Sequence, residues 1–533
     1  MSNLTVRASR PQSDDMFRDS KKAAALFVQN VGSNWAAFLF NAAVGFFLAP
    51  YILGKLGTTT YGIWALIGSL VGYFGLLDLG VRSAVIRFLS AFHSAGNHQR
   101  SSDIKSAAVL AFTVAGLLAI VLAAGVSLFV ERIFSIPPGS ENAAKIAVVI
   151  MGTNIAVALV SGVYGGILTA RHRFDLFNAV SVIGTVVRSS AVVIALETDA
   201  EISHHTDQAI ILLAVIQLLA SAIQLILLWI LSRKTYPEAK TSIRGAFSLE
   251  NLKTILSFGL LSSAIHVLGS LTHNSGTLLV GALLPVAMVT YFSIAESLAE
   301  YTRQFLSGIT HTLMPAVSSM EGVGRVDSVA RVLVDGTRYA HLVILPIIAT
   351  FIVRGDSFIS LWMGAEYGGL SGQILTVMSV TLWAVIGHQV CTTTMIGIGK
   401  QRGLMPIFAF EAAASIVLSI VLIQEIGVLG AALGVMIARL AVSFGLDVAY
   451  ARRVLRISLT EYYVDSIGRP VVAILPFAGA SYAIERTWPT ASLALFFLQV
   501  AIAIPIAILG SWLFGLKREE RTRLLGAFRQ RMA

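Results

Sequence analysis

Glu296, Glu300 and Arg303 stand at i, i+4 and i+7 in a stretch otherwise fit for hydrocarbon, so on a helix all three share a face. Glu300 and Arg303 can pair along that face, which leaves Glu296 without a partner on its own helix. An unpaired carboxylate in a low dielectric is a candidate proton or Na⁺ site; an internal salt-bridge network is the competing reading. Arg188 and Arg439 lie near the middle of two other apolar runs, and neither has an acid three or four residues away. A guanidinium stays charged and its planar fork suits a phosphate. The alternative is pairing across a bundle with Glu411 or Asp78.

Two polar stripes accompany these charges. Asn30, Asn34 and Asn41 fall on one face of a first apolar helix, and Ser262, His266, Ser270 and His273 on one face of a later one. Each stripe can wall a hydrated lumen that offers hydrogen bonds to sugar hydroxyls, or can serve ordinary interhelical hydrogen bonding. The stretch "DLGVRSAVIRFLS" places Asp78, Arg82 and Arg87 at the mouth of the second apolar run. Asp78 and Arg82 are four apart and can pair on one helical face; the arginines can also snorkel to the interface. Cargo contact by Arg82 and Arg87, and ion coupling by Asp78, Glu300 or Glu411, are the functional alternatives. Asp447 is expected at the cytoplasmic interface beside Arg452 and Arg453. Embedded arginines and acids are similar in number, so the residues alone do not make a strongly cationic lumen.

Other chemistries find little support. The single cysteine, Cys391, sits inside an apolar run and reads as a small buried hydrophobe. His204 and His205 belong to a short acidic loop, where solvation is expected rather than a metal site. No cofactor is expected, and no GxxxxGK[ST] phosphate loop occurs.

The elements that must position these residues follow from composition. The chain of 533 residues is 56% hydrophobic and 13% charged, against about 25% charged in soluble proteins. Runs of roughly 20 apolar residues recur along it, each long enough for a bilayer core of about 30 Å. The fold class is therefore all-α integral membrane, with about fourteen spans between residues 25 and 516. With the N-terminus inside, 31 of the 39 Lys and Arg residues fall in cytoplasmic segments, 5 in outer ones, and Arg188, Arg303 and Arg439 within spans. That bias predicts both termini in the cytoplasm. The net charge of +10 is then a topology signal matched to anionic lipid headgroups, not to nucleic acid.

An internal repeat organises the spans. Tyr61 in "GTTTYGIWAL" answers Tyr291 in "AMVTYFSIAE", and Arg171/Arg173 answer Lys400/Arg402 at nearly the same offset. The expected domains are a tail (1–24), a six-helix repeat (25–232), a basic linker (233–252), a second six-helix repeat (253–452), two added helices (453–516) and a basic tail (517–533). An even number of spans per repeat makes the repeats parallel, in a V-shaped bundle with cargo between the halves.

"LAPYILGKLGTTTYGIWAL", "LLDLGVRSAVIRFLS", "GILTARHRF" and "GVLGAALGVMIARL", in that order, resemble the bacterial polysaccharide or oligosaccharide flippases of the multidrug/oligosaccharidyl-lipid/polysaccharide superfamily. The resemblance implies a non-enzymatic inner-membrane transporter. It would move undecaprenyl-diphosphate-linked oligosaccharide from the cytoplasmic to the outer leaflet, for O-antigen, capsule or exopolysaccharide assembly. Polysaccharide polymerase and glycosyltransferases of the same pathway would be its partner enzymes, and a cationic lumen is a feature it suggests. The alternatives are a cation-coupled multidrug exporter of the same superfamily, which normally lacks the last two helices, and a non-transporting assembly protein. A membrane polymerase or glycosyltransferase would need a larger outer loop than this chain has.

Overall fold

The computed structural model describes residues 13–198, 206–238, 243–322 and 326–532. Every regular element among them is helical. The principal helices are α1 (Ser13–Gly72), α2 (Val81–Ser94), α3 (His98–Ser127), α4 (Glu141–Ala170), α5 (Phe174–Thr198), α6 (Thr206–Thr235), α7 (Leu249–Leu283) and α8 (Ala287–Thr310). They are followed by α9 (Val326–Met363), α10 (Ala365–Gly397), α11 (Met405–Ile426), α12 (Val428–Ala441), α13 (Arg469–Thr487), α14 (Leu493–Gly510) and the tail helix α15 (Arg518–Met532). Eleven described segments are long and apolar enough to cross a membrane. The first of them, Gln29–His93, takes in both of the first two expected spans. α8 is not among them, because Glu296, Glu300 and Arg303 crowd its 24 residues.

α1 contains its own turn. Gly57 has φ 74° and ψ 170°, a conformation open to glycine, and there the chain reverses from the first span into the second. A second break follows at Leu79 (φ 47°) and Gly80 (φ 71°), where a short, tight helical turn (Tyr73–Asp78) gives way to α2. Arg82 and Arg87 are therefore carried on a separate helix from the second span, which corrects the expectation that Asp78 and Arg82 share one continuous helical face.

α3–α6 pack chiefly on one another, as do α7–α12, while α1 packs on α8 as closely as on α5, so the two groups meet along α1. They also touch at both ends of the bundle. Near the Gly57 turn, Trp362 Nε1 donates to the Phe46 carbonyl at 2.7 Å, and Thr290 Oγ1 donates to the Thr58 carbonyl at 2.6 Å. At the opposite end Tyr236 and Ile255 pack against Val81, Ala84 and Val85. Small residues let the helices close up, as helix packing in lipid requires. A side-chain carbon on Gly430 would lie 2.2 Å from the Leu422 carbonyl, and one on Gly434 would lie 2.3 Å from the Ser419 nitrogen. α12 therefore lies directly against α11.

α13 and α14 are fastened to α9 through Arg354. Its Nε donates to Glu485 at 2.6 Å, its Nη2 reaches Thr490 at 2.7 Å and also bonds Gln499. Arg338, toward the start of α9, pairs with Asp335 at 3.0 Å and with Glu520 of α15. Both arginines are fully buried. Neither was among the arginines expected within spans, and α9, running from Val326 to Met363, takes both into the bundle.

Candidate functional site

The α1 stripe is tied to α5. Asn178 Nδ2 donates to Asn34 Oδ1 at 2.6 Å and to Ser33 Oγ at 2.9 Å, and Asn41 Nδ2 donates to Ser181 Oγ at 3.2 Å. These are interhelical bonds, yet Asn34 stays exposed and the Oδ1 of Asn41 has no partner. Of Asn30, the backbone carbonyl accepts from Ser33 Oγ at 3.2 Å.

Two cavities follow the same groove between α5 and α6. One, of about 140 Å³, is lined by Arg188, Gln217, Gly45, Tyr61 and Trp64. Arg188 Nη1 donates to Gln217 Oε1 at 3.2 Å, its Nε has no partner, and no described carboxylate pairs with it. The other, of about 180 Å³, is lined by Arg82, Ser161, Ser181, Ser221 and Gln224. Ser181 and Arg188 are two turns apart on α5, and Gln217, Ser221 and Gln224 follow each other on α6, so neutral donors and acceptors connect the two guanidiniums. Arg82 Nε lies 3.7 Å from Asp78 Oδ2, and Asp78 Oδ1 accepts the Arg82 backbone N–H at 3.4 Å. Asp78 thus caps α2 across the break. Arg87 is exposed, its guanidinium 5.9 Å from the Phe88 ring.

Tyr301 of α8 is a site residue that sequence reasoning missed. Its hydroxyl comes within 2.7 Å of where a side-chain carbon on Gly45 would sit, and it is an electrostatic neighbour of both Arg188 and Tyr61. The signal was present: Tyr301 lies between Glu300 and Arg303, on the face of α8 turned toward α1.

The other face of α8 holds the acids. Arg303 Nη2 contacts Glu296 and lies 2.9 Å from Glu300 Oε2. Glu296 is therefore paired, contrary to the expectation of a free carboxylate. The separation of seven residues spans two helical turns, and Arg303 is long enough to reach back over both. Glu296 and Arg303 line a small cavity of about 30 Å³ with His273 and Thr381. His266 is exposed and does not share that cavity; the side chain of Ser262 lies outside the described residues.

Arg439 and Glu411 take the pairing alternative rather than the cargo and coupling roles. Arg439 Nε lies 2.7 Å from Glu411 Oε1, and both side chains are 1% exposed. The glycine contacts between α11 and α12 bring them together, so in this structure Arg439 faces no cargo path and Glu411 is not a free acid. Asp447 is buried against His388 of α10, Nδ1 to Oδ2 2.7 Å, rather than solvated with the exposed Arg452 and Arg453. Cys391 is buried beside it, Sγ 3.9 Å from the Asp447 carbonyl. His204 and His205 lie outside the described residues, and among the described residues no three His, Cys, Asp or Glu side chains gather as metal ligands would.

A multi-pass helical bundle with internal cavities lined by arginine, amide and hydroxyl groups has the build of a membrane transporter. Its fold matches that of the lipid II flippase MurJ in an inward closed conformation, with a TM-score of 0.66 at 13% identity over 90% of this chain and 98% of that one. The chain belongs to the polysaccharide biosynthesis protein family, whose model matches residues 27–321. A putative O-antigen transporter of Shigella flexneri is 20% identical over 403 residues, covering 74% of this chain and 91% of that protein. The membrane protein EpsK of Bacillus subtilis is 20% identical over 168 residues, and the match spans 33% of EpsK.

Proposed function

We propose that this protein carries an undecaprenyl-diphosphate-linked oligosaccharide from the cytoplasmic to the outer leaflet of the bacterial inner membrane, feeding O-antigen, capsule or exopolysaccharide assembly. It does so without enzymatic turnover, by rocking two parallel six-helix repeats, 25–232 and 253–452, against each other around a cargo site between them. Both termini are cytoplasmic, and the pathway's glycosyltransferases and polymerase supply and consume the cargo.

Arg188 carries this reading. A guanidinium at membrane depth that is held by a neutral amide alone keeps its charge and its fork available for a diphosphate. The cavity around it is walled by residues of α1, α5 and α6, among them Tyr61 and Trp64 of α1, whose rings suit the apolar and sugar portions of such a cargo. The polar groove leading to Arg82 offers hydrogen bonds to hydroxyls along the way. The names of the Shigella relative and of MurJ, an O-antigen transporter and a lipid II flippase, support cargo of this class.

The test is a deletion strain complemented with native protein or with Arg188→Ala. Native protein should clear diphosphate-linked oligosaccharide from the inner leaflet, and Arg188→Ala should leave it accumulated with normal membrane insertion. A deletion strain that accumulates none would reject the reading.

A further inference from the structure

We propose that His388 and Asp447 form a proton-binding site inside the second helical group. His388 Nδ1 lies 2.7 Å from Asp447 Oδ2, and their side chains are 8% and 2% exposed. The second carboxylate oxygen, Oδ1, is buried with no partner among the described residues.

Charge matching isolates this pair. Arg303 is engaged by Glu296 and Glu300, Arg439 by Glu411, Arg338 by Asp335 and Glu520, and Arg354 by Glu485. Arg452 and Arg453, on the same helical segment as Asp447 (Asp447–Leu455), are exposed. Among the described residues no fixed cation is thus left for Asp447, and a lone buried carboxylate is strongly disfavoured. A proton on His388 turns the pair into imidazolium and carboxylate, neutral as a unit. Its release leaves one uncompensated negative charge. Proton binding therefore changes the charge of this region by one.

Among the described residues the surroundings add weak acids and engaged groups, with no competing counter-ion. Cys391 follows His388 by one turn on α10, and Tyr462, at the start of the segment before α13, brings its hydroxyl within 2.8 Å of where a side-chain carbon on Gly387 would sit. From α11 the Phe408 ring centroid is 4.8 Å from that of His388. From α9, His341 Nδ1 is 2.7 Å from its own Thr337 carbonyl. From α7, His273 has His388, Arg303 and Arg439 as its electrostatic neighbours.

Local backbone geometry aims Asp447 at α10. Between α12 and the segment that begins at Asp447, Val442–Leu446 forms a wide helical turn, a feature that often marks functional positions. Ser443 in that turn donates to the Ala384 carbonyl of α10. An extra residue rotates every later side chain by about 100°, which is what brings Asp447 inward rather than toward Arg452. Thr381 and Val385, two turns and one turn before His388, line the Glu296–Arg303 cavity, so the site lies next to the one described above.

The experiment is ¹⁵N and ¹³C NMR of the full-length protein in lipid nanodiscs, labelled at its ten histidines. The His388 signals are assigned by their loss in His388→Gln. They should change from imidazolium to neutral imidazole as pH is raised from 5 to 9, and Asp447→Asn should displace that change. Signals that stay in one form throughout overturn the site, as does a titration identical in Asp447→Asn. If His388→Gln does not fold, the signal displaced by Asp447→Asn makes the assignment, and a spectrum in which none moves overturns the site equally. No cargo is present, so the result stands or falls apart from the flippase reading.

Discussion

Arg439 and Glu411 meet at 2.7 Å in an interior so closed that each side chain is 1% exposed. Breaking a buried pair by removing one partner costs about 3–5 kcal/mol, whereas replacing both with apolar groups can be neutral. Arg439→Ala and Glu411→Leu should therefore each lower the thermal unfolding midpoint of the detergent-solubilised protein markedly. The double variant Arg439→Met/Glu411→Leu should recover most of that loss and should still support export. A double variant that is stable but inactive would return Arg439 to the cargo path.

Arg188 should behave in the opposite way. Its single neutral contact to Gln217 contributes little to folding, so substitutions should be tolerated structurally. Lysine keeps the charge and loses the fork, and a charge-assisted hydrogen bond is worth about 1.5–3 kcal/mol. Arg188→Lys should thus reduce transport into proteoliposomes roughly tenfold or more, with Arg188→Ala lower still and the unfolding midpoint of both near native. Full activity of both variants would assign Arg188 to structure.

Arg303 holds two acids and Glu296 only one arginine, so their substitutions should be unequal. Glu296→Gln leaves Arg303 with Glu300 and should be mild. Arg303→Gln strands both carboxylates and should depress the unfolding midpoint well below that of Glu296→Gln. Transport by Glu296→Gln should keep the native response to an imposed pH gradient. Loss of that response would restore Glu296 as the coupling carboxylate.

Orientation can be read by labelling. Cys391 is buried, so Cys391→Ala gives a background with no reactive thiol. In that background Ser203→Cys should react with an impermeant maleimide from outside intact cells. A cysteine introduced at 237 or 238, exposed positions within the linker, should react after permeabilisation only. Reaction of position 203 from the cytoplasmic side alone would invert the topology.

Much of this protein was determined by the sequence itself. Apolar runs of bilayer length specify a helical membrane bundle, because a spanning backbone must satisfy its own hydrogen bonds. That Arg188 has no acid within reach on its own helix was equally legible, but the same spacing holds for Arg439 and does not tell a free guanidinium from a paired one. Which partner another helix supplies was not decided by the sequence. Glu411 was one of two acids open to Arg439, and the two meet because Gly430 and Gly434 admit α11. Arg354 meets Glu485 only when α13 docks on α9, and Asp447 turns toward His388 because one wide turn after α12 rotates the segment that begins at Asp447. Whether a buried charge is free or paired is thus decided by packing between helices, and that is a property of the tertiary structure alone.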